Sequence, residues 1–384
     1  ACVREGPKTT ADRAGTDAGA TGRARVVAAL AAIALAVPAL RMLRWVLAGT
    51  PTQFADYWYM LDESLHPSGT VDPVGLVAPH NEHLIVIPKV LYLANVRLAG
   101  GSNVVLGVGV VLIALTGIAL LTVHLGRRRD THPLALIGFA VAASSVTFVP
   151  QGAWSYLRAM SGAAWLTANV LAIAALLVAG RRRPIAAAAL AAAAAASYGT
   201  GLLALPAVAL TGLLVDRRIR RQWPALVATV ALAAVYLRFH QDVPDRDLES
   251  FRSARAVTRG ALEMIGATMT VDIGDAARIG GAVVAVGLVA AGVAWWRART
   301  VAAVWIGLLV YALGAVGLTA YGRSNGLTSF TTSRYTALGA LVWVAVLGLV
   351  VLAGRGRAWT AAPLVAVAGL TLLGSTGPVD DVAA

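Results

Sequence analysis

The sequence contains a single cysteine, Cys2, among its 384 residues. One cysteine excludes an intrachain disulfide and a thiolate-bound metal cluster, because both need more than one thiol. Charge is also scarce, since Asp, Glu, Lys and Arg together make up 13% of the chain, against about 25% in an average soluble domain. With 58% apolar residues and a mean hydropathy of +0.72, the composition is that of a membrane protein.

Acidic residues are the rarer charged class, with 19 Asp and Glu against 32 Lys and Arg, a net charge of +13. A basic excess can indicate a nucleic-acid surface. Here the arginines stand in short clusters between apolar blocks, which is where the positive-inside rule places them in membrane proteins. We therefore interpret the charge as a topology signal and exclude nucleic acid as a partner.

Eleven apolar blocks approach the roughly 20 residues that a helix needs to cross a bilayer. They predict an all-α, polytopic membrane helical bundle of about eleven spans over residues 25–376. Residues 1–24 are polar and predicted to be a disordered cytoplasmic N-terminus, and 377–384 form a C-terminal tail. The blocks cover residues 26–48, 103–125, 133–150, 161–180, 184–197, 200–215, 224–239, 279–296, 301–319, 336–353 and 359–375.

The arginine clusters fall at every second connection between these blocks, which predicts that all of them face the cytoplasm. This alternation requires that Ile185–Val215 makes two short passes around the Ser197–Gly201 break. The N-terminus then lies inside and the C-terminus outside. The clusters are Arg127–Arg129, Arg181–Arg183, Arg217–Arg221 (interrupted by Ile219), Arg297 with Arg299, and Arg355 with Arg357.

Apart from the short turn at the Ser197–Gly201 break, four connections are assigned to the outer face, at about 49–102, 150–160, 240–278 and 320–335. Acids, histidines and isolated cations gather in them, whereas the inner connections carry little besides arginine. We expect the active face to be extracytoplasmic.

Asp56 follows the first predicted span within the aromatic segment Phe54–Met60. A carboxylate at the membrane surface among aromatic rings is partly desolvated, which suits it to act as a general base. The alternative is a solvated acid beside an interfacial aromatic belt.

Farther along the same loop, His80, Glu82 and His83 form a compact polar element, with His66 nearby. These are metal-ligand types, but the spacing does not match known zinc motifs. A hydrogen-bonded cluster that shapes a substrate pocket is the favoured interpretation, with a divalent cation left open. Residues Ile85–Leu98, which include Lys89, are predicted to form a helix lying along the membrane surface.

Three cations outside the predicted cytoplasmic side are candidate phosphate ligands. Arg323 and Arg334 lie on the predicted outer side, whereas the positive-inside rule concentrates cations on the cytoplasmic side. A guanidinium binds phosphate in a bidentate manner. A salt bridge to a loop acid is the alternative for both. Arg158, near Trp154 and Tyr156 on the second outer loop, is either such a ligand or an interfacial anchor.

Three elements of the chain together resemble a known group: an acid after the first span, His80-Asn81-Glu82-His83 before a surface helix, and Ser333-Arg334-Tyr335 late in the chain. They resemble poorly characterised bacterial membrane proteins that are similar to the GT-C glycosyltransferases. Those enzymes take sugars from polyprenyl-phosphate carriers on the outer face of the membrane. The resemblance covers roughly Val26 to Leu352 and implies a location in the bacterial plasma membrane.

The resemblance implies that Asp56 acts as the base on the acceptor hydroxyl. Asp56 does not belong to an adjacent acidic pair, unlike Asp62-Glu63, so that pair could supply the base instead. It places the donor phosphate at Arg323 or Arg334, with Lys89 and Arg158 as further candidates. Some GT-C enzymes use a soluble C-terminal domain to grip a polymeric acceptor, and no such domain is predicted in these 384 residues. The acceptor therefore stays open among cell-envelope glycans, lipids and proteins.

The resulting hypothesis is an inverting transfer of one sugar from a polyprenyl-phosphate sugar to an extracytoplasmic hydroxyl. Glu82, His80 and His83 would line the pocket, and Tyr57, Trp58 and Trp154 would stack on sugar or line the lipid entry. The alternatives are a flippase or transporter for a lipid-linked glycan and a non-catalytic scaffold. Transporters place ionisable residues near the bilayer midplane, whereas here they lie in the connections.

Overall fold

The computed structural model describes residues 10–80, 83–128, 130–240, 253–323 and 333–373, and within these ranges the chain is helical without β-strands. Four short 3-10 segments, at Pro150–Gly152, Gly199–Leu203, Ile219–Gln222 and Ala358–Thr360, interrupt the connections. The α-helices are α1 (Thr10–Ala48), α2 (Ala55–Asp62), α3 (Pro73–Val77), α4 (Val86–Ala99), α5 (Asn103–Gly126), α6 (Pro133–Thr147), α7 (Trp154–Leu157), α8 (Ala159–Gly180), α9 (Pro184–Ala195), α10 (Ala204–Asp216), α11 (Trp223–His240), α12 (Ala254–Gly266), α13 (Ile273–Arg323), α14 (Ser333–Ala353) and α15 (Ala361–Leu373).

Six helical segments in the described part are long and apolar enough to cross a membrane. Two of them are central, since 78% of the most apolar window of α8 and 83% of that of α14 is buried inside the protein, against 28% for α1. On α1, large apolar side chains such as Ile33 and Val37 are exposed, as expected for a helix that faces lipid. The segments are Arg25–Ala48, Asn103–Gly126, Ala159–Gly180, Gly199–Asp216, Ile273–Arg323 and Tyr335–Ala353.

Over their described residues the predicted apolar blocks lie largely in helices, and the helix predicted at Ile85–Leu98 is present as α4. Pro88 is tolerated in α4 because it stands in the first turn, where its missing N–H has no helical partner. At the N-terminus, α1 begins at Thr10 and so extends upstream of the predicted first span. Residues 1–9 and the predicted tail at 377–384 lie outside the described residues.

The 51 residues of α13 form a helical hairpin and not one straight rod. Ala298, with φ −148° and ψ 46°, leaves the helical conformation between the two halves. A Cβ atom at Gly287 would lie 3.6 Å from Leu309 Cδ2, although a straight helix would separate these residues by about 33 Å. The chain therefore reverses at Ala298, between Arg297 and Arg299, as the two separate apolar blocks at 279–296 and 301–319 predict.

A second reversal separates α9 from α10. Pro184, the first residue of α9, and Asp216, the last residue of α10, line the same small cleft. The turn between the helices is the Ser197–Gly201 break, which includes the start of a 3-10 segment. Ile185–Val215 therefore folds as two short antiparallel helices, in agreement with the sequence.

The arginine clusters gather at one end of the bundle, which we call the basic end. Arg182, after α8, and Arg221, before α11, line one cleft. Gly180, the last residue of α8, packs against Val304 in the second half of α13, so the Ala298 reversal lies at the same end.

Two further contacts bring the remaining arginine clusters to the basic end. The guanidinium of Arg297 donates to the carbonyl oxygen of Ala353, the last residue of α14. In the connection that follows α14, the carbonyl oxygen of Gly356 accepts from the backbone N–H of His132 at 2.7 Å. This hydrogen bond joins the α5–α6 and α14–α15 connections.

The opposite end, which we call the loop end, contains residues 49–80, 83–102, 148–160, 195–201 and 333–336. Helices α2, α3 and α4 belong to the first of these segments, which docks on the α9–α10 turn. The N–H of Ile87 donates to the carbonyl oxygen of Ala196 at 3.2 Å. The hydroxyl of Tyr236 donates to Ala195 at 2.9 Å and accepts from the N–H of Leu84 at 3.3 Å.

Helix α12 lies within the connection that the sequence assigned to residues 240–278, whose residues 241–252 are not described. It packs closely on α13 and α14 through glycines. A Cβ atom at Gly280 would overlap the carbonyl oxygen of Leu262, and one at Gly339 would overlap that of Met264. In addition, Trp343 Nε1 donates to the carbonyl oxygen of Ile265 at 2.9 Å.

Candidate functional site

Asn103 organises the loop end. Its Nδ2 donates to the carbonyl oxygens of Thr50 at 3.2 Å and Leu157 at 2.7 Å, and its Oδ1 accepts from the N–H of Ala159 at 3.2 Å. Its own backbone N–H donates to Pro51 at 2.9 Å. Because this buried side chain opens α5, it joins the segment that follows α1 to the junction of α7 and α8.

Asp56 stands in the first turn of α2, where its negative charge interacts favourably with the helix dipole. Its side chain is exposed and makes no hydrogen bond or ion pair with any described residue. Phe54, the N-cap residue, provides no side-chain hydrogen bond to the helix. The carboxylate of Asp56 is thus open to solvent at the start of a fixed helix.

Tyr57 holds α2 in place from the buried side. Its hydroxyl donates to Asn95 Oδ1 at 2.7 Å, and its ring packs against Tyr92 at a centroid distance of 5.1 Å. Burial raises the pKa of the Tyr57 phenol to about 12. Because Tyr57 is fully buried, it positions α2 and is closed to a ligand, whereas its neighbour Trp58 is 49% exposed.

Arg158 lies between two aromatic rings. Its guanidinium carbon is 3.5 Å from the ring centroid of Trp154 and 4.2 Å from that of Phe54. Such cation–π contacts orient the guanidinium plane. Through Phe54, Arg158 is positioned at the N-terminal end of α2, the end that carries Asp56.

Lys89 is a buried cation with 1% relative exposure. Its Nζ donates to the carbonyl oxygens of Gly75 at 2.9 Å and Ala78 at 3.0 Å, and it lies 3.2 Å from Glu63 Oε2. An ammonium group has three protons, and three partners use them. The sequence-based assignment of Lys89 as a phosphate ligand therefore does not fit its geometry, because no donor is left for a substrate.

The two acids of the Asp62-Glu63 pair differ in their surroundings. Glu63 forms an ion pair with Lys89, and its Oε1 lies 3.1 Å from His80 Nδ1. Asp62, the last residue of α2, is exposed. Asp62 follows Asp56 by six positions in the helix, which places the two side chains about 120° apart around the helix axis, so they face different directions.

His80 and His83 exchange two backbone hydrogen bonds, at 3.0 and 3.1 Å, but their rings have different partners. His80 faces Glu63, whereas the His83 ring lies 4.2 Å from that of Tyr198. Glu82 lies outside the described residues. Among residues that are described, no three His, Cys, Asp or Glu side chains are arranged to share a metal ion.

A row of four aromatic rings runs from His83 into the bundle. Tyr198 stacks on Trp165 at a centroid distance of 4.8 Å, and Trp165 lies 5.6 Å from Tyr335. The row joins the first loop, the α9–α10 turn, α8 and the start of α14. The sequence offered no signal for Tyr198 or Trp165, because their contacts bridge distant parts of the chain.

The remaining predicted cations lie near the start and end of the 320–335 connection. Arg323 is the last residue of α13 and is partly exposed. Arg334 belongs to the first turn of α14, but its side chain lies outside the described part, as do residues 324–332. The next residue, Tyr335, is buried against Trp165, so it helps to set the position of α14.

Gln53 is a polar residue that the sequence did not single out. It is 6% exposed, and neither its Oε1 nor its Nε2 makes a hydrogen bond with a described residue. Unsatisfied buried amides are rare, since burying a polar group without a partner is unfavourable. Gln53 lies three residues before Asp56 in the same connection.

No protein-family model, no curated protein and no solved structure matches this chain.

Proposed function

We propose that the protein is a membrane glycosyltransferase of GT-C type, which moves a sugar from a polyprenyl-phosphate donor to an extracytoplasmic hydroxyl. In this proposal the chain crosses the membrane about eleven times, the basic end is cytoplasmic and the loop end holds the active site. The observation that carries it is the exposed Asp56 carboxylate, fixed by Tyr57 on one side and by the Phe54–Arg158 contact on the other.

The proposed step is a single inverting displacement at the anomeric carbon. The Asp56 carboxylate takes the proton of the acceptor hydroxyl as its oxygen attacks that carbon. The bond between the anomeric carbon and the phosphate oxygen breaks, and its electron pair leaves with the phosphate. The developing negative charge requires a cation that is already in place.

Arg158 is the cation whose described surroundings suit this role best. Two rings hold its guanidinium carbon at 3.5 and 4.2 Å, so little side-chain freedom is lost when it binds an anion. Arg323 and Arg334 are proposed as further phosphate ligands because both stand next to the loop end. Lys89 is assigned a positioning role instead.

Gln53 supports a polar ligand at this end. A sugar hydroxyl both donates and accepts a hydrogen bond, and the unsatisfied amide of Gln53 can do the same. The exposed Trp58 ring on α2 offers an apolar face for sugar stacking. These two side chains are the proposed contacts to the transferred sugar or its acceptor.

The test is transfer of radiolabelled sugar from a panel of synthetic polyprenyl-phosphate sugars to a cell-envelope extract, with purified protein, in the presence and absence of EDTA. We expect Asp56→Asn to abolish transfer while the melting temperature stays unchanged. Asp62→Asn, on another face of the same helix, is the matched control and should retain transfer.

If Asp62→Asn were inactive and Asp56→Asn active, the protein would still be a glycosyltransferase, but Asp56 would not be its base. No transfer from any donor, by folded protein that still binds the lipid, would instead favour the flippase.

A further inference from the structure

Three arginines at the basic end have left-handed backbone conformations. They are Arg182 with φ 59°, Arg217 with φ 54° and Arg355 with φ 58°, and each stands at the C-terminal end of a helix. Within the described ranges these are all of the non-glycine residues with positive φ. Side chains other than that of glycine are unfavourable in this region, so each arginine occupies a position that glycine would fill more easily.

Arg182 shows the arrangement most clearly. Its N–H donates to the carbonyl oxygen of Ala179 at 2.9 Å, and that of Arg183 donates to Val178 at 3.4 Å. This pair of hydrogen bonds closes many helices, with glycine as the usual left-handed residue. A cation is favourable beside a helix C-terminus, but Arg181 and Arg183 already supply two without left-handed backbone. A further reason is needed for an arginine at position 182.

The side chains of Arg182 and Arg221 line a shallow cleft of about 10 Å³ between the α8–α9 and α10–α11 connections. Arg221 pairs with Asp216 at 2.8 Å. The side chains of Arg182 and Arg217 make no hydrogen bond or ion pair with the described residues. The cleft admits one water-sized atom, such as a phosphate oxygen, and leaves the rest of a ligand outside. Asp216, whose charge is paired with Arg221, also lines the cleft, and the other lining residues are Ala179, Pro184, Gly212 and Gln222.

Apolar side chains next to the cleft point to a membrane surface. Ile219 is 64% exposed and Trp223 is 59% exposed, on either side of Arg221. Exposed tryptophan beside arginine is typical of the zone where lipid headgroups meet hydrocarbon. A ligand that reaches this cleft would therefore be held partly by the bilayer.

We propose that this cleft binds the phosphate headgroup of an anionic phospholipid. Arg182, which lines the cleft, supplies one cation, and Arg217, the residue after the lining Asp216, supplies a second at its edge. A phosphate oxygen enters the cleft, and the acyl chains lie along the exposed apolar residues. Basic clefts between membrane helices suit such headgroups, and a guanidinium binds phosphate oxygens in pairs. The proposal is independent of the glycosyltransferase assignment, because it concerns the other end of the bundle.

The experiment uses the full protein in detergent, titrated with phosphatidylglycerol or phosphatidylcholine, with affinity read by native mass spectrometry and stability by melting temperature. Phosphatidylglycerol should bind more tightly than phosphatidylcholine and raise the melting temperature more. The double variant Arg182→Gly/Arg217→Gly should weaken phosphatidylglycerol binding by about tenfold or more. It should still fold in phosphatidylcholine, since glycine is the residue that both backbones favour.

The matched control is Arg299→Ala/Arg357→Ala, which removes the same charge from the basic end and leaves the cleft intact. It should keep most of the preference for phosphatidylglycerol. Arg182→Gln/Arg217→Gln, which preserves side-chain bulk, replaces the glycine variant if that variant does not fold. The proposal is wrong if the cleft variants keep the full preference, or if the control loses as much. If inorganic phosphate raised the melting temperature as much as phosphatidylglycerol does, the cleft would be a site for free anions and the proposal would also be wrong.

Discussion

The side-chain amide of Asn103 donates to the carbonyl oxygen of Leu157 at 2.7 Å, across 54 positions of sequence. Leu157 directly precedes Arg158, and the same amide also holds Thr50, six residues before Asp56. One buried side chain therefore connects the two segments that carry the proposed base and the proposed phosphate ligand.

Replacing Asn103 with alanine should destabilise the protein substantially. The change leaves the carbonyl oxygens of Thr50 and Leu157 and the N–H of Ala159 without this partner, which we expect to cost about 2–4 kcal/mol. The melting temperature in detergent measures the loss. Ser102→Ala, which removes only the N-cap of α5, should cost about 1 kcal/mol. Equal losses for the two variants would show that Asn103 is not the main connection.

Lys89 and Glu63 should respond unequally to substitution although they form one ion pair. Lys89→Met keeps most of the volume but leaves the buried carbonyl oxygens of Gly75 and Ala78 without a donor, at about 2–4 kcal/mol. Glu63→Gln should cost about 1 kcal/mol or less, because Glu63 is 41% exposed and Lys89 retains both carbonyl partners. Chemical unfolding of both variants gives the order, and a larger effect of Glu63→Gln would contradict the argument.

Local hydrophobicity accounts for the part of the fold that the sequence predicts well. Over its described residues each apolar block lies largely in a helix, and the reversals at Ala298 and between α9 and α10 follow from arginine clusters or turn residues next to those blocks. These signals are local, since a run of apolar residues and the residue types that end it determine where a helix forms.

The candidate site was predicted less completely, because its contacts join residues far apart in sequence. Lys89 was expected to hold a phosphate, but the backbone carbonyls that bind it are not visible in residue types. Tyr57 was expected to stack on a sugar or line the lipid entry, but its side chain is buried and its hydroxyl donates to Asn95 Oδ1. The role of Asn103 depends on partners 53 and 54 residues away.

Tyr57 should make the protein sensitive to alkaline pH. Burial raises its pKa to about 12 in the fold, whereas an unfolded tyrosine titrates near 10. Above pH of about 10 the unfolded chain loses this proton first, so the stability that the neutral phenol contributes declines until the folded protein titrates near 12. Melting temperatures between pH 8 and about 11 should fall less steeply in Tyr57→Phe. The exposed Tyr59→Phe in the same helix is the control, and an unchanged slope in Tyr57→Phe would contradict the assignment.

Two adjacent glycines of α13 should behave in opposite ways when they are replaced by alanine. A methyl group at Gly280 would overlap the carbonyl oxygen of Leu262, a backbone atom that cannot move unless α12 shifts. We expect Gly280→Ala to cost about 3 kcal/mol and to loosen α12, detectable as faster hydrogen exchange in Ala254–Gly266. At Gly281 the nearest atom is Leu262 Cδ1 at 3.9 Å, so Gly281→Ala should be neutral or stabilise the helix by up to about 1 kcal/mol. If both variants melt at the wild-type temperature, the close packing of α12 on α13 is not the feature that holds this connection against the bundle.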